Sequence, residues 1–264
     1  MKYKLIALDL DNTLLDMEHK LSENTIKTIQ SIQQRGYEII IATGRMFIST
    51  LPFAQKLNLE NEVISYNGAL IMDLVSKEKI FQQSIELDTA REIINICNEV
   101  DLHLNIYLDD QLFVGEYNHL VKKYEKIAGI KARVVGNLHQ FLKKDPTKLL
   151  VIENNREKKK KFLQMFKRKF KNKLAVTESK AKFIEFMAPG VSKGKALRFL
   201  VDKKGVKQSQ VIAAGDGWND AEMIEWAGLG IAMENAPEEI KDKADLVAPH
   251  HDREGVARIL SRIL

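Results

Sequence analysis

The 264-residue sequence contains one cysteine, five prolines and no apolar run approaching the length of a membrane span. Cys97 alone cannot form an internal disulfide, so a disulfide framework is excluded. A transmembrane helix needs roughly 20 consecutive apolar residues, and no such stretch occurs. The N-terminus runs directly into a strand pattern followed by acidic residues, which is unlike a signal peptide. We therefore expect a cytoplasmic protein without a membrane partner.

Positive charge is concentrated in one segment of an otherwise ordinary composition, which is 45% hydrophobic and 29% charged, with a formal net charge of +5. Residues 156–173 contain ten Lys or Arg and one Glu, whereas the remaining chain has 31 basic and 35 acidic residues. Phe162, Phe166 and Phe170 recur at helical spacing, which predicts an amphipathic helix with a solvated basic face. A docking surface for nucleic acid is the weaker alternative, because no nucleic-acid motif accompanies the helix.

Strand and helix patterns alternate at both ends of the chain but not in its middle. The alternation in residues 1–82 and 190–264 predicts an α/β domain with a doubly wound, mostly parallel, Rossmann-like sheet. Residues 83–189 have shorter strand patterns, some of them alternating, separated by helices at 88–99, 117–128 and 156–170. We therefore predict a discontinuous core domain with an inserted α+β domain.

The stretch "IALDLDNTLLD" ends an apolar strand pattern with two aspartates, Asp9 and Asp11. In an extended chain, residues two apart share a face. Two carboxylates that lie close together repel each other unless a cation or a shared proton is near. The stretch therefore predicts a cation, or a proton shared between the two carboxylates, at the end of this strand.

Further polar residues follow the other predicted parallel strands or begin the helix after Pro189-Gly190. They are Thr43, Gly44, Arg45, Asn67, Gly68, Lys193, Asp216, Asn219 and Asp220. Because ligands of open parallel sheets bind outside the carboxyl ends of the strands, we expect these residues to meet at one edge. Each of them alone could be a turn residue, a helix cap or a surface lysine. His250-His251 has no further partner at ligand spacing and is interpreted as a loop.

Four stretches, "DLDNTLL", "ATGR", "VSKGKAL" and "GDGWNDAEM", resemble in this order the four motifs of the haloacid dehalogenase (HAD) superfamily. The position of the insertion and the stretch "SYNGA" resemble the Cof-like subfamily of phosphatases, in which the inserted domain is a cap. The resemblance covers essentially the whole chain. Asn12 departs from it, since glycine is commonest there, but asparagine tolerates a left-handed backbone and the turn is expected to survive.

The resemblance implies a Mg²⁺-dependent phosphatase that acts through an aspartyl-phosphate. Asp9 is then the nucleophile and Asp11 the general acid and base, while the Asp9 carboxylate, the Asp11 carbonyl and Asp216 hold the metal. The implied phosphate-binding residues are Leu10, Thr43, Gly44, Lys193 and Asn219. The implied supporting residues are Asp220, Arg45, Asn67 and Gly68.

Three classes of function remain open at this point. The first is a phosphatase of small phosphorylated metabolites such as sugar phosphates, nucleotides, flavin mononucleotide or pyridoxal phosphate. The second is a phosphomutase, which shares the aspartyl-phosphate but returns the phosphoryl group to its substrate. The third is a phospho-accepting signalling module, which is disfavoured because such a module is much shorter and lacks an insertion. The sequence does not indicate the oligomeric state.

Overall fold

Two β-sheets organise the chain in the computed structural model, which describes residues 2–178 and 182–264. The chain divides into two compact units. Unit 1 comprises Met1–Phe81 and Ser192–Leu264, and unit 2 comprises Gln82–Val191. The boundaries predicted from the sequence, 82 and 190, lie close to these limits.

The first segment of unit 1 contains β1 (Leu5–Leu8), α1 (Glu23–Gln34), β2 (Glu38–Ala42), α2 (Phe47–Lys56), β3 (Glu62–Ser65), β4 (Leu70–Asp73) and β5 (Lys79–Gln82). Unit 2 follows with α3 (Leu87–Glu99), β6 (His103–Leu108), β7 (Gln111–Val114), α4 (His119–Ala128), β8 (Ala132–Val134), α5 (Leu138–Phe141), β9 (Lys148–Ile152), α6 (Arg156–Lys169), β10 (Ala175–Glu178) and β11 (Phe183–Met187). The chain ends with α7 (Lys193–Lys203), β12 (Val211–Gly215), α8 (Ala221–Trp226), β13 (Leu229–Met233), α9 (Glu238–Lys241), β14 (Leu246–Ala248) and α10 (Gly255–Ile263).

The sheet of unit 1 has the strand order β14-β13-β12-β1-β2-β3-β4-β5. The strands from β14 to β3 are parallel, and β4 returns antiparallel to β3. The chain extends the sheet outward from β1 in both directions, so the order reverses at β1. The predicted doubly wound, mostly parallel α/β core is confirmed. The carboxyl end of β1 therefore lies where such sheets bind their ligands.

The sheet of unit 2 has the order β10-β11-β9-β6-β7-β8 and is antiparallel except for the β7–β8 pair. One face of it carries apolar side chains such as Ile106 and Val151, which belong to a buried cluster with residues of α3 and α6. The alternate positions carry buried polar side chains, among them Asn105, Lys148 and Glu185. This mixture of strands and helices agrees with the predicted α+β insertion.

The predicted amphipathic helix is α6. Phe166 and Phe170 are buried against unit 2, and most of the basic side chains are exposed, as expected. Lys159 departs from the predicted basic outer face, because it is buried and paired with Glu178. Over residues 2–178 and 182–264, none of the helices is both long enough and apolar enough to cross a membrane.

Candidate active site

The segment that follows β1 turns sharply instead of continuing as a strand. Leu10–Leu14 forms one wide helical turn, closed by a hydrogen bond of 2.9 Å from the Leu15 N–H to the Leu10 carbonyl. Asn12 has φ 57° and ψ 17°, which is the left-handed region. The prediction that asparagine would preserve this turn is confirmed, because asparagine adopts that region more readily than most residues. The turn sends Asp9 and Asp11 into different surroundings.

Asp9 is buried and ion-paired with a lysine from the other end of the chain. Lys193, the first residue of α7, is fully buried, and its Nζ donates to Oδ1 of Asp9 and to Oδ1 of Asp220, each at 2.6 Å. The second oxygen of Asp9, Oδ2, has no hydrogen bond from any residue that the structure describes. One oxygen of this carboxylate is therefore held in place while the other is open to react or to bind.

The buried charges perturb one another's ionisation. Burial raises the pKa of Asp9 to about 8; Lys193 opposes this rise, and the nearby Asp220 and Asp216 add to it. Burial by itself lowers the pKa of Lys193, but the carboxylates of Asp220 and Asp9 outweigh burial and hold that pKa above its usual value. Lys193 therefore remains a cation between two acidic side chains.

Asp220 organises the loop after β12. Its Oδ1 accepts from Lys193, and its Oδ2 accepts from the N–H groups of Asp216, at 3.1 Å, and Gly217, at 2.9 Å. A Cβ on Gly215 would lie only 2.4 Å from Cγ of Asp220, so glycine is needed at that position. One carboxylate oxygen of Asp220 is thus committed to Lys193 and the other to the loop.

Asp216 lies beside Asp9 at the same edge of the sheet. One carboxylate oxygen from each of Asp9, Asp216 and Asp220 lies within 4.8 Å of the others. Burial raises the pKa of Asp216 to about 6, and Asp220 adds to this rise, whereas Lys193, an Asn12 hydrogen bond and His251 oppose it. Because Asp220 is committed elsewhere, Asp9 and Asp216 are the carboxylates that could hold a metal. Hard carboxylate oxygens are the ligands that Mg²⁺ prefers.

Asp11 has cationic partners of its own. Arg45 donates to both of its carboxylate oxygens, with Nε at 2.7 Å and Nη2 at 2.5 Å, and Nδ1 of His19 lies 3.3 Å from Oδ1. The expectation from an extended chain was that the carboxylates of Asp9 and Asp11 share one face, but their side chains meet different cations, Lys193 and Arg45. The reason is the turn at Leu10–Leu14, which points the Asp11 side chain toward the residues that follow β2.

The polar residues after β2 interlock with those after β3. Thr43 is buried, and its Oγ1 accepts from the Arg45 N–H at 3.2 Å, while its carbonyl accepts from the Asn67 N–H at 3.0 Å. Oδ1 of Asn67 accepts from Nδ2 of Asn219 at 2.9 Å, which joins the β3 turn to the loop after β12. A Cβ on Gly44 would lie 2.8 Å from the same Asn67 oxygen, so only glycine leaves room for this contact.

Gly68 brings the β3 turn against the start of α7. Its φ is +102°, and a Cβ there would lie 2.2 Å from the Ser192 carbonyl oxygen. Ser192 is the N-cap of α7, where its side chain accepts from the Lys195 N–H at 3.1 Å. Close approach at Gly68 and capping by Ser192 together place Lys193, the next residue, at the sheet edge. The structure thus brings the predicted site residues of unit 1 together from distant segments of the chain.

Asn235 is a site residue that the sequence analysis missed. It follows β13, and its Nδ2 lies 2.9 Å from the Asn12 carbonyl and 3.3 Å from Oδ2 of Asp216. The sequence does indicate this residue, because the stretch "GIAMENA" has the pattern of a buried parallel strand followed by polar residues. The other candidate site residues follow strands of the same kind.

His250, His251 and Asp252 form a second group whose ligand atoms lie within 4.8 Å of one another. Asp252 is the third partner that the sequence analysis did not find. Nδ1 of His251 lies 2.7 Å from the Leu15 carbonyl, so this ring nitrogen donates, and Nδ1 of His250 accepts from the Asp252 N–H at 3.3 Å. These contacts tie the loop to the turn after β1 and commit one nitrogen of each ring to the backbone.

A doubly wound sheet with an acidic cluster and a buried lysine at its switch point is typical of α/β enzymes, which bind their ligands at the strand ends. The chain belongs to the haloacid dehalogenase-like hydrolase family, whose sequence profile matches residues 6–260. The family predicted from the four motifs is confirmed.

Relatives and solved structures match nearly the whole chain. A 5-amino-6-(5-phospho-D-ribitylamino)uracil phosphatase of Bacillus subtilis is 30% identical, with 97% of this chain and 96% of the relative aligned. A pyridoxal phosphate phosphatase of Escherichia coli is 28% identical, with 98% of each chain aligned. The crystal structure of a haloacid dehalogenase-like hydrolase from Bacteroides thetaiotaomicron superposes with a TM-score of 0.94 at 28% identity, covering 100% of both chains.

Proposed function

We propose that this protein is a Mg²⁺-dependent phosphatase of small phosphorylated metabolites that works through an aspartyl-phosphate on Asp9. The observation that carries the proposal is the Asp9 carboxylate, which has one oxygen held by Lys193 and the other open. It lies at the switch point of the sheet, where ligands of this fold bind. The names of the relatives, which are phosphatases of two different phosphorylated compounds, support the same reaction class.

In this reaction Oδ2 of Asp9 attacks phosphorus, and the bond from phosphorus to the leaving oxygen breaks. Asp11 gives its proton to that oxygen and then takes one from the water that hydrolyses the aspartyl-phosphate, which releases phosphate and restores both side chains. The Arg45 ion pair belongs to the ionised form of Asp11, which is the form that takes a proton from water; to act as the acid, Asp11 first leaves Arg45 and binds a proton. Acid–base help of this kind is typically worth about 10²–10⁴-fold in rate.

The remaining residues are proposed to bind the phosphoryl group. Thr43 and the N–H groups of Gly44 and Leu10 donate hydrogen bonds to its oxygens, and Asn219 supports them. Lys193 lies beside Asp9, where its positive charge offsets the negative charge of the Asp9 carboxylate and of the phosphoryl oxygens. Supporting roles fall to the residues that hold these loops in place, namely Asp220, Arg45, Asn67 and Gly68.

The donor set fits Mg²⁺. Asp9 and Asp216 offer carboxylate oxygens that lie within 4.8 Å of each other at the end of the parallel strands. Asp9, Asp216 and the Asp11 carbonyl would hold the metal, and Asp220 would brace their loop. When bound, Mg²⁺ supplies positive charge against the phosphoryl oxygens.

We assign substrate choice to the insertion, residues 83–189, acting as the cap domain of a cytoplasmic enzyme. The compounds named for the two relatives, a phosphorylated ribitylaminouracil and pyridoxal phosphate, favour phosphorylated metabolites of modest size. Sugar phosphates, nucleotides and flavin mononucleotide belong in the same test panel.

Release of inorganic phosphate tests the proposal. The purified chain is assayed on p-nitrophenyl phosphate and on a panel of phosphorylated metabolites, with Mg²⁺, after chelation, and after Mg²⁺ is restored. We expect activity that disappears on chelation and returns with the metal. Full turnover after thorough chelation would remove Mg²⁺ from the proposal, and no release from any compound would overturn the phosphatase. A bisphosphate activator that turns release into isomerisation would identify a phosphomutase instead.

A further inference from the structure

Asn235 connects three loops at the carboxyl edge of the unit 1 sheet. Its Nδ2 donates to the Asn12 carbonyl at 2.9 Å and to Oδ2 of Asp216 at 3.3 Å, and its Oδ1 accepts from the backbone N–H of His251 at 3.3 Å. The turn after β1, the loop after β12 and the loop before α10 are therefore tied to one side chain.

The three partners determine which chemical group can occupy this position. A carbonyl and a carboxylate only accept hydrogen bonds, whereas the His251 N–H only donates, so the orientation of the Asn235 amide is unambiguous. A primary amide supplies two N–H bonds and an acceptor oxygen within one short, planar group. Leucine has nearly the same shape and offers neither donor nor acceptor.

The contacts of Asn235 reach both segments that supply proposed metal-binding residues, the turn after β1 and the loop after β12. Asn235 donates to one oxygen of Asp216 and to the carbonyl of Asn12, the residue that follows Asp11 in the turn after β1. Asn235 follows β13, which pairs with β12, and β12 ends at Gly215, immediately before Asp216. The amide therefore bridges the two segments that must keep a constant separation for their oxygens to share one ion.

We propose that Asn235 is a positioning residue that sets the orientation of Asp216 and of the turn after β1 for Mg²⁺ binding. This inference rests on the proposed function, because it presumes that Asp216 is a metal ligand. Partners that orient metal ligands typically contribute about 10–100-fold to metal affinity or activity. We expect an effect of that size on Mg²⁺ affinity and little effect on the binding of the substrate itself.

The test measures Mg²⁺ binding by titration calorimetry in the absence of substrate, so that the readout does not depend on turnover. Asn235→Leu removes all three hydrogen bonds and keeps the branched side-chain skeleton, and Asn235→Ala is the second variant should the larger leucine prevent folding. The matched control is Asn61→Ala, which removes an asparagine-to-backbone bond of 3.3 Å to the Ile39 carbonyl in the same unit.

We expect the Kd for Mg²⁺ to rise about 10–100-fold in the Asn235 variants and to stay within about twofold in the control. At saturating Mg²⁺, the KM for p-nitrophenyl phosphate is expected to change less than about threefold, and most of kcat to return. An unchanged Kd in a folded Asn235 variant, or an equal rise in the control, would overturn this inference alone. Absence of Mg²⁺ binding by the unaltered chain would overturn both this inference and the proposed metal.

Discussion

Both units contain a buried lysine paired with a carboxylate, and the two arrangements differ in a way that separates chemistry from structure. In unit 1, Lys193 meets Asp9 and Asp220 at the ends of strands, where loops from distant parts of the chain converge. In unit 2, Lys148 and Glu185 pair at 2.8 Å on adjacent strands within the sheet. The first arrangement leaves one oxygen of Asp9 without a hydrogen bond from the described residues, whereas the second joins two neighbouring strands of one sheet.

Both lysines are buried, so burial does not distinguish a catalytic ion pair from a structural one. Their positions in the sheet differ, and we infer that position makes the distinction. A buried pair inside a sheet is costly to break, because its loss leaves a charge in the interior. A buried pair at a strand end can present one atom to the space beyond the sheet. Substitutions in the two units should therefore affect different properties, and the following experiments test this separation.

The largest effect is expected from Asp9→Asn. The change removes the nucleophile but keeps the shape, and Lys193 retains Asp220 as a partner, so the fold should survive. Turnover of p-nitrophenyl phosphate is expected to fall by about 10⁴–10⁶-fold, as when other covalent nucleophiles are removed. Circular dichroism and a thermal melt provide the check on folding. Comparable activity in the folded variant would place the nucleophile elsewhere.

Asp11→Asn should have the next largest effect. It leaves the Asp11 carbonyl unchanged, so Mg²⁺ binding measured by calorimetry should persist, while turnover of a natural phosphomonoester falls about 10²–10⁴-fold. The loss should be smaller on p-nitrophenyl phosphate if formation of the aspartyl-phosphate limits the rate, because that leaving group needs no proton. Where formation of the aspartyl-phosphate limits the rate, an equal loss on both substrates would argue against Asp11 as the acid.

Lys148→Met in unit 2 should reduce stability instead of turnover. Removing one member of a buried ion pair typically costs about 3–5 kcal/mol of the free energy of unfolding. The double variant Lys148→Met/Glu185→Met should recover most of this loss in urea denaturation. Both variants, while folded, should keep their activity on p-nitrophenyl phosphate. Loss of that activity in a folded variant would place a catalytic group in unit 2.

The smallest expected effect comes from matched helix caps. The Asn155 side chain accepts from the Lys158 N–H at the start of α6, and the Ser192 side chain accepts from the Lys195 N–H at the start of α7. Replacing either with alanine should cost about 1 kcal/mol of stability. Only Ser192→Ala should also lower turnover, because α7 begins at Lys193. Equal turnover in the two variants would show that the cap does not position this lysine.

The sequence predicted the longer elements and missed short ones. The strands β1 to β3 and the helices α3, α4 and α6 occur where patterns in the chain placed them. The strands β5, β8 and β10 and the short helix α5 were not predicted. Three or four residues carry too little periodicity to be told from a loop, and such strands exist because a neighbouring strand offers them hydrogen bonds.

At the site, the residue types and their spacing were sufficient to identify the family. They also predicted that the candidate site residues lie at one edge of the sheet. The contacts among them were not predictable, because Lys193 and Asp9 are 184 positions apart and Asn235 and Asn12 are 223 apart. Local spacing even misled at Asp11, since the chain turns where an extended backbone was assumed.

What the sequence determined by itself is the alternation of strands and helices and the order of four short motifs, because both depend on neighbouring residues and on the periods of 2 and 3.6. Only the tertiary structure decided which cation each carboxylate meets. Asp9 pairs with Lys193 and Asp11 pairs with Arg45, whereas Asp216 forms an ion pair with neither of them. These pairings depend on how parallel strands align their ends and how each loop then turns. The Coulomb energy between two charges depends on the distance between them in space and not on their separation along the chain. The sequence therefore does not show which carboxylate oxygens are paired with a cation.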